Sequence, residues 1–526
     1  MKRILSILTA IVTLSSCHKV LDIDPISNIG ADAFYRNYTE VSNALTGCYN
    51  GMQAPLYNEW MMTELRGTNA VQGVMNSTSV QNIALDDLDM YTVNSTHNEV
   101  YNYWINTYLN IRAINYVLRS LGTGYDQGTV TMGNGTAVMN EEQKKQLAGE
   151  ALFMRAYHYF NLTRLFGGVF LITEPVIPRD AKKTPRSSVA DMYKFIVADL
   201  SAAKNFLAAR PYSQMAAADL GRATHWAAEA LLAKVYLTMG QKSDALPLLN
   251  DVIDNSGHAL LPSYADVFSI TKEMNAEILF AVRYKAGGVG LGSPFANLFA
   301  PTSSGSNVVN NDGNGYDYPS GEAQQMYKYP ATATGKDLRK DVTIAVYNNK
   351  PYVKKFLSQV TARYDAENDF PVIRYSDVLL MKAEAIGYDG PAGTSVGLIN
   401  QVRARAGALP YTGSGDFATT FYQYPASGEA AINDADAFKK ALLQERRIEL
   451  AYENQQFFDM VRIGDPVTIM KDHFTAEFPG FYSKTRAGSN LEELKGHVTL
   501  ERMLLPIPQR EIDTNDQQKI PQNQGY

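Results

Sequence analysis

The sequence predicts an all-α-dominated protein, a scaffold of paired helical repeats interrupted by irregular, loop-rich insertions. Two observations lead there. First, Glu150–Tyr157 (EALFMRAY), Glu229–Tyr236 (EALLAKVY) and Asp377–Glu384 (DVLLMKAE) superimpose without gaps, each with an acid first, apolar residues next and a base sixth. In register, Ala148, Leu152, Ala156 and Phe160 recur at steps of four, as do Ala227, Leu231, Val235 and Met239, then Tyr375, Leu379 and Ala383. That spacing stacks apolar side chains on one helix face. Second, each segment is followed by a break and another amphipathic pattern. Such pairs follow the tetratricopeptide scheme, with offsets of 79 and 148 residues that imply large insertions. Chance likeness between generic amphipathic helices is the competing reading, and the shared order of acid, apolar run and base favours a true repeat.

The elements follow in chain order. Lys2 and Arg3 precede an eleven-residue apolar run, Ile4 to Leu14, then Ser15, Ser16 and Cys17. The run is too short to cross a bilayer, which needs about 20 residues, and suits an export signal over 1–16. Leu14-Ser15-Ser16-Cys17 resembles a lipobox, so Cys17 is the expected lipidation site; a plain signal peptide with an incidental Cys is the simpler reading. Multiple acyl chains anchor stably where one would not. Cleavage leaves Cys48 as the one thiol able to pair, which rules out an intramolecular disulfide and a Cys-based metal site.

Residues 66–98, with Gly67, Asn69, Gly73, Asn76, Asn82 and Asn94, show little helical periodicity. Trp104, Tyr108, Ile111 and Ala113 sit on a helical pattern. After the first repeat segment, Gly167-Gly168 and Pro175/Pro178 break the chain before Ser188-Val-Ala-Asp191, a capping-box-like helix start. Gly240 and Ser243 precede Leu246, Leu249 and Val252; Pro391 and Gly393 precede Leu398, Ile399 and Val402. Residues 286–320 are rich in Gly, Ser and Asn and end in Asn314-Gly-Tyr316-Asp-Tyr318-Pro319. Long irregular loops are functional or disordered, and the tyrosines argue against disorder.

Composition narrows the function. With 48 Lys+Arg against 54 Asp+Glu the net charge is −6, no nucleic-acid footprint. Tyrosine, at 32 residues against 21 Phe, suits half-exposed, wet contact surfaces. The seven His include no pair closer than 24 residues, so no zinc spacing is present. Gly288-Val-Gly290-Leu-Gly292 matches neither a dinucleotide fingerprint nor a phosphate loop. Asp86, Asp87 and Asp89 could supply a glycosidase pair, but a solvated acidic turn explains them more simply. No nucleophile has a partner, and no cofactor is implied. His158, His225, Trp104 and Trp226 read as packing residues; Trp60 reads equally as packing or contact.

From Leu443 to Gly464 the chain reads LQERRIELAYENQQFFDMVRIG, where Arg446–Glu449 and Asp459–Arg462 are three apart and able to pair. A solvated charged helix would account for this alone. Yet the segment resembles the signature helix of the SusD/RagB family of outer-membrane nutrient-binding lipoproteins. So do Arg374-Tyr-Ser-Asp377 through Glu384, Ile399-Asn400 through Gly407, Leu505-Pro-Ile-Pro508 to Tyr526, Leu21-Asp22 through Pro25 after Cys17, and Arg155-Ala-Tyr157 through Val169. Gln456 and Ile463 depart from that pattern, standing where Arg is usual and Trp common, and Asp516 and Gln524 stand where Pro is typical. The resemblance implies one SusD-like domain over 17–526, with an N-terminal part (17–285) and a loop-rich insertion plus C-terminal part (286–526). It further implies non-catalytic binding of glycans or oligosaccharides at the cell surface, and delivery to a SusC-like TonB-dependent outer-membrane transporter. A peptide-binding RagB-like protein and a tetratricopeptide-type assembly scaffold are the alternatives. An enzyme is a third class, which turnover of a bound glycan, abolished by Asp87→Ala, would reveal. Family sites draw on an early loop and on the long insertion, which here offer Asn69, Tyr91 and Asn94, then Tyr316 and Tyr318, with Trp60 outside them.

Overall fold

A computed structural model describes residues 35–327, 336–389, 393–413, 421–485, 490–515 and 519–526. The 1–16 signal and Cys17 lie outside them. The helices that build the body are α1 Tyr38–Asn50, α2 Gln53–Thr63, α3 Val80–Asp89, α4 Asn98–Ser120, α5 Glu141–Phe166, α6 Val189–Phe206, α7 His225–Thr238, α8 Lys242–Asn255, α9 Tyr375–Ile386, α10 Thr394–Arg405, α11 Ala435–Glu449, α12 Gln456–Ile463 and α13 Pro466–Glu477. No described helix is long and apolar enough to cross a membrane.

From α4 to α10 each helix in this series packs against the next. The three repeat segments lie in α5, α7 and α9, and the partner helices α6, α8 and α10 follow them, which is the tetratricopeptide-like stack. Local chemistry fixes the ends. Asn140 opens α5 with a capping box, and Ser188 accepts from the Asp191 N–H at the start of α6, as its sequence suggests. Gly167, at φ +74°, closes α5 in a conformation that glycine tolerates best.

The repeat's charged positions are interior, not solvated. Arg155 pairs with Asp199 of α6 at 2.8 Å, and Lys234 of α7 with Asp377 of α9 at 2.6 Å. The C-terminal signature is likewise buried. Arg446 binds Asp377 and Asp459 rather than Glu449, while Glu449 receives Arg339, Arg374 and Arg405. This corrects the expected Arg446–Glu449 pair; Asp459–Arg462 does form, at 2.7 Å. A helical rung is the shortest route between charges on paper, but in the core the stronger demand is that every buried ion find counter-ions, wherever they lie in the chain.

Among the described residues β-structure is confined to two-stranded ladders. Ala70–Val71 (β1) pairs antiparallel with Tyr318–Pro319 (β5); Thr123–Asp126 (β2) and Thr129–Met132 (β3) form a hairpin; Ile278–Val282 (β4) pairs with Phe370–Arg374 (β8), both fully buried; and Ile344–Tyr347 (β6) pairs with Lys350–Val353 (β7). The expectation of little helix in 66–98 is corrected by α3, which Ser79 caps by accepting from the Asn82 N–H. Asp86, Asp87 and Asp89 belong to this helix rather than to the expected solvated turn. Asp87 accepts from Thr92 Oγ, and the buried Asp89 accepts from the Gln72 N–H and the Tyr482 hydroxyl.

Candidate functional site

The irregular insertion is ordered by two side chains. Fully buried Asn297 donates to the Asn310 and Asp312 carbonyls at 3.1 and 2.8 Å and accepts from the Tyr364 N–H at 2.8 Å. The Asp312 carboxylate accepts from the backbone N–H groups of Ser303, Ser304, Gly305 and Gly313. Burial would raise this acid, but those donors outweigh it and hold the carboxyl below its usual range. A Cβ at Gly313 would collide with the Ala300 carbonyl, so only glycine lets the loop fold back there.

This framework presents tyrosines from three segments. Tyr57 is the outward residue of α2 between buried Leu56 and Asn58, and is 36% exposed. Tyr364, 37% exposed, is held at φ +64°. Tyr316 is half-buried, its N–H donating to the Leu298 carbonyl at 3.0 Å. Burial pushes the Tyr57 hydroxyl up to about 12, with further contributions from Tyr364, Glu99 and Tyr316, which places the phenols within electrostatic reach of one another. Beside them, Arg363 donates to Asn314 Oδ1 at 2.6 Å and lies 5.2 Å from the Tyr364 ring centroid, while Asn314 Nδ2 donates to the Tyr364 hydroxyl at 3.1 Å. Aromatic faces flanked by an amide and a guanidinium form a surface that can stack on apolar C–H faces and satisfy hydroxyls together. Two clefts elsewhere, of about 620 and 420 Å³, each contribute a single tyrosine, Tyr236 and Tyr38.

Tyr316 is the one expected contact residue that the structure brings into this patch. Trp60 is fully buried, edge-on to Phe299 at 5.1 Å. Asn69, also fully buried, accepts from Arg447 Nε at 2.8 Å. Buried Tyr91 donates its hydroxyl to the Arg66 carbonyl at 2.5 Å. Tyr318 is buried on β5. Burial leaves these four no face for a ligand, because tyrosine, tryptophan and asparagine serve equally well as framing residues once their polar atoms are paired or their rings packed. Asn94 is exposed, but its Oδ1 accepts from both the N–H and the hydroxyl of Thr96 and shapes the turn before α4. The two loop regions do meet, through the β1–β5 ladder, yet the joined strands are interior. Sequence reasoning missed Tyr57 and Tyr364. The first lies in the stretch Leu56 to Met62, where Trp60 drew attention, and the second in Thr361-Ala-Arg-Tyr364. His158 is a packing residue as expected, bonded to Asn110 at 2.8 Å and lowered to about 3 by burial.

Two family models cover most of the chain: one described as "SusD family" matches residues 292–526, and one described as "Starch-binding associating with outer membrane" matches 21–237. The chain belongs to the SusD/RagB family. A SusD-like protein of Formosa agariphila is 25% identical, covering 95% of this chain and 94% of that one, and a SusD-like protein of Bacteroides ovatus is 25% identical over 87% and 82%. Among solved structures, a laminarin-binding SusD-like protein superimposes with a TM-score of 0.70 at 23% identity, covering 94% of this chain and all of that one. Surface glycan-binding protein A from Bacteroides thetaiotaomicron, in complex with laminarihexaose, gives 0.68 at 17% identity, over 92% and 99%. These structural likenesses establish the shared SusD-like fold. Within it, Gln456 anchors the early loop, accepting from the Thr68 N–H at 2.9 Å and donating to its hydroxyl at 2.6 Å.

Proposed function

We propose that this SusD-like protein is a non-catalytic glycan-binding lipoprotein of the outer membrane, anchored through Cys17, that docks oligosaccharide on Tyr57, Tyr316 and Tyr364 and passes it to a SusC-like TonB-dependent transporter. The observation that carries the reading is the convergence of three incompletely buried tyrosines, from α2, the insertion and the 363–366 segment, beside Asn314 and Arg363. Such a surface holds a sugar ring by its C–H face without any group poised to cleave it. Support also comes from the names of relatives and structural neighbours, several of which describe glycan, starch or laminarin binding. Calorimetry of the purified protein with laminarihexaose and with starch oligosaccharides tests the reading. Saturable binding, weakened about tenfold in Tyr57→Ala and in Tyr364→Ala, is expected; no glycan binding, with tight peptide binding instead, would assign the protein to the peptide branch.

A further inference from the structure

His225 opens α7, Glu229 follows one turn later, and Asp251 projects from the neighbouring α8; their ligating atoms lie within 4.8 Å of one another. The tautomer of His225 is fixed by its other nitrogen. Nδ1 lies 2.7 Å from the Lys204 carbonyl, which can only accept, so Nδ1 carries hydrogen and a neutral ring turns its Nε2 lone pair inward. That lone pair faces Glu229 Oε2 at 3.5 Å. Glu229 is 1% exposed, and its Oε2 has no hydrogen-bond donor. Two acceptors therefore confront each other in the interior, and only a proton on Nε2 or a cation between them removes the conflict. Lys204 does not resolve it, since its Nζ lies 3.5 Å from the other oxygen, Oε1. Asp251 brings a second carboxylate, oriented by Asn255 Nδ2 donating to Oδ1 at 2.6 Å.

We propose that His225, Glu229 and Asp251 form a divalent-cation site on the flank of the second repeat, with one imidazole and two carboxylates suited to Zn2+. Zinc bound at about 2.0–2.2 Å from nitrogen and oxygen ligands sets neighbouring ligand atoms roughly 3.3 Å apart, close to the His225–Glu229 separation already present. Binding displaces the Nε2 proton to solvent, so the cation and the proton compete for one lone pair. The other cluster of this type, Glu322, His473 and Glu477, is less suited. Glu477 already accepts from the N–H groups of Gly321 and Glu322, and the Arg447 guanidinium stands 4.0 Å from Glu322.

The test is titration of the folded protein with Zn2+ by calorimetry and with Co2+ by visible absorption. One equivalent should bind, Co2+ should give ligand-field bands that Zn2+ abolishes, and His225→Ala and Asp251→Asn should each weaken binding by at least about tenfold. Asp251 is partly exposed, so Asp251→Asn keeps the test valid should His225→Ala misfold, which circular dichroism reports. Titrations indistinguishable between the natural protein and Asp251→Asn would overturn the proposal, as would loss of the signal in His473→Ala alone.

Discussion

Lys234 Nζ lies 2.6 Å from Asp377 Oδ2, joining the sixth-position base of the second repeat to the first-position acid of the third. Both side chains are almost fully buried, and Arg446 closes on the other carboxylate oxygen at 2.8 Å. The acid and base that recur in the repeat segments thus join the second repeat to the third.

Asp377→Ala should therefore cost about 3–5 kcal/mol, because it strands two buried cations. Urea denaturation of the variant checks this, and a loss below about 1 kcal/mol would return the pair to surface status. Burial alone would raise this acid, but Lys234 and Arg446 outweigh it and hold it well below the usual carboxylate range. Its contribution is accordingly present above about pH 4 and is lost as the pH falls through the depressed folded-state value.

The opposite sign applies to three buried acids, Glu64, Asp89 and Asp317, that lie within electrostatic reach of one another. Burial raises Glu64 to about 8 and Asp89 to about 7, and lifts Asp317, whose two carboxylate oxygens lack donors, well above its usual value. A raised acid favours the folded state until the unfolded chain ionises. Stability from these groups should fall by about 1.4 kcal/mol per pH unit and per group from about pH 4 towards each folded-state value. Glu64→Gln should flatten that slope in a series of denaturation curves between pH 4 and 8.

Tyr316→Ala and Tyr364→Ala should weaken oligosaccharide binding by about tenfold each, the scale of a lost aromatic stacking contact of about 1.4 kcal/mol. Their melting temperatures should stay nearly unchanged. Trp60→Ala should instead lower stability by about 3–5 kcal/mol. A large drop in melting temperature for Tyr316→Ala would reassign that residue to the core.

Asn297→Ala should leave the Asn310 and Asp312 carbonyls and the Tyr364 N–H without their partner. The cost is about 1–3 kcal/mol for each buried group left unsatisfied. Hydrogen exchange should speed up across 297–316 and at 364 while α5 to α8 keep their protection.

The helix stack was legible because a 3.6-residue apolar period survives any insertion between repeats: Leu152, Leu231 and Leu379 all occupy the buried face expected of them. The partners of the charged positions were not, because Asp377 meets Lys234 across 143 residues of sequence and nothing local announces the pairing. The site was half legible. The Gly, Asn and Tyr content pointed to loops as its candidate segments, but Tyr318 is buried on β5 while Tyr316, two residues before that strand, stays half-buried, and Tyr57 is exposed on a helix whose other side chains are mostly interior.

The ionic knot formed by Glu277 ahead of β4, Arg374 at the end of β8, Arg405 of α10 and Glu449 of α11 draws on four segments spread between residues 277 and 449. During synthesis, a chain that extends only as far as α10 holds both interior guanidinium groups of the knot but one of its two carboxylates, Glu277. The knot can close only once the segment carrying Glu449 has been made, so this part of the interior cannot complete itself in a chain that stops short of α11.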